Sequence, residues 1–325
     1  DFGFFNQRLT GSFDYYYKKT NDILVQTPYI AAMGEGGEPW VNGASMNNQG
    51  VEFTVSFKSD PSSEFQWAVS ANIGTYKTEL TDLPSNVINK YAGDGVHDLI
   101  LGRSPNSAYG LVADGIFKTQ EEVDAHADQP GKAVGRIRYK DLDGDGVINE
   151  TYDRTWIGCY DPDFFGGLNF DFAYKGFDLN LFFEGMFGND VNSDWKKESD
   201  IWLFTNPAWK NHATRMLGGW SPDNPNSDIP AISNNTANQE QRFSSWFIED
   251  GSYIKLRNIE LGYTFPTKLI KKMHMSNLRL YAAAYNVFTL KKFWGDDKYT
   301  SFDPERPSYH YLTPFTFNFG INVSF

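Results

Sequence analysis

The chain ends in a segment whose apolar and polar residues alternate without interruption. In PFTFNFGINVSF, residues 314–325, every odd position from Phe315 to Phe325 is apolar, and the even positions from Thr316 to Ser324 are small or polar. A period of two is typical of a β-strand with one apolar and one polar face. Soluble sheets and membrane barrels both contain such strands, so this segment alone leaves both fold classes open.

The same alternation recurs along the chain, in residues 8–24, 50–57, 65–76, 167–174, 177–187, 258–265 and 278–288. The pair 167–187 predicts a hairpin that turns at Lys175-Gly176, with one face formed by Phe170, Phe172, Leu179, Leu181 and Phe183. Its opposite face carries Asn169, Asp171, Asp178, Asn180 and Glu184. In a barrel, the first face contacts lipid and the second lines the lumen, where it can contact cargo. Residues 119–128 are the best helical candidate, and they lie within a loop.

The connections between the predicted strands alternate strictly between short and long. This asymmetry is typical of an outer-membrane barrel, with short periplasmic turns and long extracellular loops, and a sandwich has no reason to keep it. We therefore predict an all-β fold, a transmembrane antiparallel barrel. The pattern gives about nine strands, of which the first, at residues 1–5, is a stub. Because bacterial single-chain barrels have an even number of strands, the chain resembles one part of a larger barrel.

Composition narrows the function classes. Aromatic residues make up 17% of the 325 residues, while the mean hydropathy is −0.49. No stretch approaches the roughly 20 apolar residues of a transmembrane helix. The net charge of −12 argues against a nucleic-acid partner, which requires a basic surface. A single cysteine, Cys159, excludes an internal disulfide.

The sharpest local motif is DLDGDGVINETYD, residues 141–153. Its carboxylates have the spacing of positions 1, 3 and 5 of an EF-hand-type loop, Gly146 supplies the turn, and position 12 is Tyr152 instead of Glu. We expect a structural Ca²⁺ ion in this loop, with the ligands Asp141, Asp143, Asp145, the Val147 carbonyl and Asp153, which stands one position late. Because the ligand set is incomplete, Mg²⁺ and a metal-free turn held by aspartate hydrogen bonds remain alternatives.

Tryptophans are the other candidate binding groups. Five lie in or beside one long loop: Trp195, Trp202, Trp209, Trp220 and Trp246. They could stack on sugar rings, or they could pack the loop against itself or lie at the membrane interface. The five histidines show no ligand spacing, and neither a Ser-His-Asp pattern nor a paired-carboxylate signature is present. We therefore predict no catalytic residue and no enzymatic activity.

Six stretches in order point to a family: RLTGSFDYYYKKTNDIL, NQGVEFTVSF, GRIRYKDLDGDGVINETYDRTWIG, FFGGLNFDFAYKGFDLNLFFEGMFGND, DGSYIKLRNIELGYTFP and LRLYAAAYNVFTL. In order and spacing they resemble the C-terminal part of SusC-like TonB-dependent transporters, the RagA/SusC group of Bacteroidota outer membranes. The resemblance covers essentially the whole chain. It implies that residues 1–325 are the C-terminal part of a 22-stranded barrel, without the plug domain and the TonB box.

The resemblance also implies a function and partners. Such transporters take up nutrients, most often glycans and next peptides, with a SusD-like surface lipoprotein and with TonB-ExbB-ExbD acting through the plug. The terminal aromatic Phe325 resembles the signal that the barrel-assembly machinery recognises. Two rival interpretations are a smaller outer-membrane barrel that is an enzyme or adhesin, and a soluble all-β glycan-binding protein.

Overall fold

The fold was analysed in a computed structural model of the chain. It describes residues 1–26, 40–88, 99–201, 212–233, 236–291, 300–307 and 311–325. The strands are β1 (Phe2–Phe4), β2 (Leu9–Gln26), β3 (Trp40–Lys58), β4 (Phe65–Asp82), β5 (Ser107–Leu111), β6 (Ala113–Ile116), β7 (Ile137–Tyr139), β8 (Arg154–Cys159), β9 (Phe164–Tyr174), β10 (Phe177–Phe187), β11 (Asp190–Asn192), β12 (Ile248–Asp250), β13 (Tyr253–Thr264), β14 (Asn277–Lys291) and β15 (Thr316–Ser324).

The helices are short. The α-helices are α1 (Ser85–Ile88), α2 (Gln120–Ala125), α3 (Asp194–Lys196) and α4 (Thr267–Ile270). A π-helical turn, Lys197–Ile201, continues α3, and single 3-10 turns cover Thr214–Gly218, Thr236–Asn238, Ser245–Phe247 and Lys271–Met273. The predicted helix near 119–128 is α2, which Thr119 caps by accepting a hydrogen bond from the Glu122 amide. No helix in the described residues has the length and apolar character needed to cross a membrane.

Nine strands form one antiparallel sheet in the order β1-β2-β3-β4-β9-β10-β13-β14-β15. The predicted hairpin is present: Lys175 and Gly176 join β9 to β10 with φ values of 48° and 88°. Both values lie in the left-handed region that a two-residue hairpin turn requires. The short connections also include residues 5–8 and 59–64, whereas residues 83–163 and 188–252 form long ones. The described sheet therefore confirms an all-β antiparallel fold with alternating short and long connections.

The strands extend beyond the alternating segments that predicted them. β3 begins at Trp40, whereas the alternation begins near residue 50. The added residues show no regular period of two, but they pair with β2, and from Ser45 onward with β4 as well: Asn48 lies opposite Lys18 in β2 and Thr78 in β4. Backbone pairing holds this segment extended, and its few apolar residues, such as the buried Ala44 and the partly buried Met46, are too irregularly spaced for the hydrophobic pattern to reveal it.

One face of the sheet is a continuous aromatic surface. Phe65 stacks on Phe172 with ring centroids 6.1 Å apart, and Phe170 meets Phe183 edge-on at 6.2 Å. On β15, Phe319 is 79% exposed. None of the aromatic residues of β9, β10 or β15 belongs to either buried hydrophobic cluster of the described residues. This face therefore covers no protein core within the described chain, as expected for a surface that contacts lipid.

Buried apolar side chains gather instead in the long connections. The loop core comprises Leu111, Ile116, Ile137, Tyr139, Ile148, Ile201 and Phe247. Three two-stranded sheets, β5-β8, β6-β7 and β11-β12, frame it. Beside it Arg136 and Glu240 form a buried ion pair with Nη1 2.7 Å from Oε2, and the Ile137 amide donates to Glu240 Oε1 at 2.9 Å. The long connections are therefore a packed unit attached to one end of the sheet.

If the aromatic face contacts lipid, a charged substitution on it should lower the stability of the protein in a bilayer. Leu181 lies opposite Phe170 in β9 and Ile259 in β13. Replacing it by arginine places a charge on the lipid face, which should lower the free energy of unfolding by about 2–4 kcal/mol if the residue lies near the midplane. Reversible unfolding in lipid vesicles measures this change.

Leu181→Met is the matched control, because a volume-conserving apolar exchange should cost less than about 1.5 kcal/mol. Equal stability of the arginine and methionine variants would contradict the assignment of this face to lipid.

Candidate functional site

The face opposite the aromatic surface carries a ladder of polar side chains. At its centre, Asn180 Nδ2 donates to Asp171 Oδ1 at 2.7 Å and to Asn169 Oδ1 at 2.9 Å. Asn258 Nδ2 donates to Asn180 Oδ1 at 2.8 Å, which extends the chain of hydrogen bonds to β13. The predicted polar positions of the hairpin are thus brought together on one face across three strands.

Arginine side chains on β13 and β14 extend the ladder to a fourth strand. Arg279 on β14 donates through Nε to Asp178 Oδ1 at 3.0 Å, and its Nη2 lies 2.7 Å from Glu260 Oε1. Arg257 on β13 donates through Nε to Glu184 Oε2 at 2.6 Å and also pairs with Glu305. Each arginine therefore binds two carboxylates, so each of these four acids has a cationic partner although the acids outnumber the arginines two to one.

A segment between β14 and β15 folds back onto this face. Lys255 on β13 is only 2% exposed, and its Nζ lies 3.1 Å from Asp303 Oδ1 and also contacts Glu305. The Tyr253 hydroxyl donates to Glu305 Oε1 at 3.1 Å. A buried lysine without a partner is strongly unfavourable, so these contacts fix residues 303–305 against the wall of the sheet.

Sequence reasoning missed several charged members of this ladder, both basic and acidic. Glu260 stands at a polar position of the alternating segment 258–265 and could have been identified, as could Arg279 at the start of the next strand. Arg257 was hidden because a bulge between Leu256 and Asn258 breaks the register of β13. Asp303 and Glu305 lie in an irregular segment that carries no periodic signal.

The acidic loop brings three of its predicted ligands together. One carboxylate oxygen from each of Asp141, Asp143 and Asp145 lies within 4.8 Å of the others. Asp141 accepts hydrogen bonds from the amides of Gly144 at 2.7 Å and Gly146 at 2.9 Å, so both Asx-type turns and a cluster of hard oxygens are present.

The other two predicted ligands are placed differently. Asp153 is fully buried, and its two oxygens accept from the amides of Leu142 at 2.8 Å and Asn149 at 2.7 Å. It lies outside the group of three, although its charge contributes to the raised pKa of Asp143. The Val147 side chain is 44% exposed, and its carbonyl accepts a long hydrogen bond of 3.5 Å from Asn149 Nδ2.

Charge repulsion within the loop is visible in its pKa values. For Asp143, the largest single effect is the hydrogen bond from the Asp145 amide, which lowers the pKa. Desolvation and the charges of Asp145 and Asp153 together outweigh this bond, so the pKa of Asp143 is raised. For Asp141 partial burial raises the pKa, and the hydrogen bonds from Gly146 and Gly144 outweigh that effect and lower it. The loop thus concentrates negative charge that a cation would relieve.

The described tryptophans pack against protein. Trp220 and Trp246 lie against the loop core, and the Lys196 ammonium stands 4.8 Å above the Trp246 ring. Trp195 meets Phe302 edge-on, with centroids 4.7 Å apart. These contacts favour the packing interpretation for all three, and sugar stacking stays a prediction. Trp202 and Trp209 lie outside the described residues.

The predicted assembly signal lies directly after the last strand. Phe325 is 88% exposed and follows β15, which ends at Ser324. Recognition of this side chain by the assembly machinery stays a prediction, which the yield of assembled protein after deletion of Phe325 would test.

Curated proteins similar to the chain carry receptor names. No protein-family model matches the chain. TonB-dependent receptor P3 of Formosa agariphila is 30% identical over 343 residues, which cover 100% of this chain and 33% of the relative. TonB-dependent receptor SusC of Bacteroides thetaiotaomicron is 27% identical over 100% of this chain and 31% of its own length. The chain thus spans about a third of the length of these relatives.

Solved structures share the fold. The RagAB peptide transporter superposes with a TM-score of 0.76 over 99% of this chain and 34% of its own, at 24% sequence identity. The RagAB peptide importer in its closed-closed state superposes with a TM-score of 0.71 over 99% of this chain and 34% of its own, at 24% identity.

The names of all these proteins describe receptors, transporters or importers, which supports the expectation that the chain is not an enzyme. Over its whole length the chain is therefore homologous to part of the SusC group of TonB-dependent receptors, outer-membrane proteins of Bacteroidota.

Proposed function

We propose that the protein to which this chain belongs imports nutrients across the outer membrane in a TonB-dependent manner. Residues 1–325 form the C-terminal part of its barrel wall together with long extracellular loops. The plug and the TonB box belong to other parts of the receptor, and TonB-ExbB-ExbD acts through that plug. A SusD-like lipoprotein delivers the cargo, which is a glycan or a peptide.

The observation that carries this proposal is the separation of the sheet into two unlike faces. An aromatic face stands opposite a ladder of amides, carboxylates and guanidinium groups that spans β9, β10, β13 and β14. Such a wall separates lipid from a water-filled interior, through which a hydrophilic cargo can pass. The rival enzyme, adhesin and soluble glycan-binding interpretations gain no support from the names of the relatives.

Asp141, Asp143 and Asp145 are proposed to bind a structural Ca²⁺ ion directly, together with the Val147 carbonyl, and the predicted ligand Asp153 is proposed to act through a water. The grouping of the three carboxylates supports the site, and the hydrogen-bonded position of Asp153 argues for water in place of its direct ligation. Ligand oxygens would then lie about 2.3–2.6 Å from Ca²⁺, against about 2.0–2.1 Å for Mg²⁺. The ion would stiffen an extracellular loop and take no part in transport chemistry.

Uptake measurements test the proposed function. A strain that lacks the protein should lose growth on one class of cargo, glycans or peptides, when that class is the sole nutrient. Disruption of TonB should remove the same growth, because energy from the inner membrane is required. Unimpaired growth of the deletion strain on every glycan and peptide tried, or uptake that persists without TonB, would contradict the proposal.

Protease protection tests the calcium site. Chymotrypsin can cleave after Leu142 and Tyr152, which are 42% and 52% exposed within the loop. If the ion stiffens the loop, chelation or Asp143→Ala should accelerate this cleavage about tenfold, as expected when local opening becomes easier by about 1.4 kcal/mol.

Asp223→Ala is the matched control, since Asp223 is exposed and lies in another loop. Readdition of Ca²⁺, but not Mg²⁺, should restore protection of the wild type. Equal cleavage with and without chelator would leave only the hydrogen-bonded turn.

A further inference from the structure

A cavity of about 610 Å³ lies between the loops and the folded-back segment after β14. Its lining includes Tyr160, Asn189, Asp190, Asp194, Tyr253 and Glu305. Among the described residues no arginine or lysine lines it, although Lys255 and Arg257 pair with Glu305 from behind. The cavity is large enough for an amino-acid side chain or a sugar ring.

Two carboxylates of the lining have no cationic partner in the part of the chain that the structure describes. Asp190 Oδ2 accepts from the Cys159 amide at 2.8 Å, and Asp194 Oδ1 accepts only a long bond of 3.3 Å from Asn192 Nδ2. Asp190 also stands directly opposite Asp250 in the β11-β12 ladder. Like charges in that position are destabilising unless a cation compensates them.

Electrostatic strain appears at Asp190. Burial raises the pKa of its carboxyl most, the hydrogen bond from the Cys159 amide lowers it by a smaller amount, and the charges of Asp250 and Asp163 each add a still smaller increase. Neither Asp163 nor Asp250 pairs with a lysine or arginine in the described residues. Several negative charges thus surround Asp190 with no compensating positive charge beside it.

An unsatisfied acceptor lines the same cavity. Asn189 is only 6% exposed, and its Oδ1 has no hydrogen-bond partner in the described part of the chain. A buried amide oxygen without a donor is unfavourable by about 1–3 kcal/mol. This oxygen is enclosed in the wall of the cavity, and like the two carboxylates it has capacity for a further hydrogen-bond donor.

Aromatic rings complete the lining. Tyr160 is 38% exposed and lies close enough to both carboxylates for them to affect it: burial raises the pKa of its hydroxyl first, and the charges of Asp190 and Asp194 add to the effect. Carboxylates beside an accessible aromatic ring are the usual setting for an organic cation, which gains from both.

A bare metal ion fits this cavity poorly. Among the described residues, the only group of three carboxylates, histidines or cysteines close enough to share one ion is that of Asp141, Asp143 and Asp145. The acceptors here are more widely distributed, which suits a group that presents several N–H donors at once.

We propose that this cavity binds an ammonium or guanidinium group on the cargo. The inference rests on the proposed function, because it names a chemical feature of the molecule that the receptor imports. A primary ammonium can come from a lysine side chain or from an amino sugar, and both present the same three donors to the carboxylates Asp190 and Asp194. A neutral cargo would leave the two carboxylates without a partner.

The test measures binding to the complete receptor by calorimetry, with four probes. These are a lysine-containing tripeptide, a glucosamine trisaccharide, and the N-acetylated form of each at the amine in question. Acetylation should weaken binding of the cognate probe at least about tenfold, since it removes the charge from two charge-assisted hydrogen bonds. Which unmodified probe binds distinguishes the peptide source from the sugar source.

Substitutions in the cavity test whether its carboxylates cause the preference for the charged probe. Asp190→Asn with Asp194→Asn keeps the shape and the acceptor for the Cys159 amide, and should abolish the difference between charged and acetylated probe. Asp223→Asn, which removes one charge from an exposed loop, should leave that difference unchanged. Normal heat-modifiable migration of each variant confirms that the barrel is assembled.

Two outcomes would overturn the inference: acetylation has no effect on binding, or the double variant keeps the full preference for the charged probe. If a neutral cargo is imported in a TonB-dependent way while no charged probe is preferred, the inference fails and the proposed function stands. If no cargo of any class is imported, the proposed function fails as well.

Discussion

The structure depends on one constraint, which is that a backbone surrounded by hydrocarbon must satisfy its own hydrogen bonds. In a sheet each strand relies on its neighbours for this, so the nine strands form one uninterrupted antiparallel ladder from β1 to β15. Pairing also fixes which side chains share a face, because one residue of slippage would exchange the two faces. The strict alternation of Phe177, Leu179 and Leu181 with Asp178 and Asn180 follows from this constraint.

The polar face has its own requirement. Acids that face the interior of the sheet repel one another unless cations compensate them, and Arg257 and Arg279 do so by each bridging two carboxylates. Lys255 extends the same principle to Asp303 and Glu305 and thereby fixes a segment between strands against the wall. The cavity around Asp190 is the contrast, since Asp190, Asp194 and the neighbouring Asp250 lack such partners in the described residues.

The sequence predicted the parts of the fold that obey a simple period. Local patterns predict the hairpin at Lys175-Gly176, the short first strand and the alternation of short and long connections. They also predict the grouping of Asp141 with Asp143 and Asp145, and the structure contains each of these features.

The internal structure of the long connections could not be predicted in this way. Their buried pair Arg136–Glu240 joins residues 104 positions apart, and the small strands around it are too short to show a period. Likewise, the sequence does not predict that the Asn189 amide is buried without a hydrogen-bond partner for its oxygen, because this depends on the residues that pack around it in the fold.

The most direct test of the two-faced wall is a nitroxide scan along β10 in lipid. Cys159 is the single cysteine of the chain, so Cys159→Ser in a receptor otherwise free of cysteine gives a background for single labels at positions 177–184. The collision rate with dissolved oxygen, which concentrates in hydrocarbon, should be high at Phe177, Leu179, Leu181 and Phe183 and low at the positions between them. The collision rate with a water-soluble nickel complex should show the opposite pattern. A uniform profile, or one with a period other than two, would contradict a sheet that separates lipid from an aqueous interior.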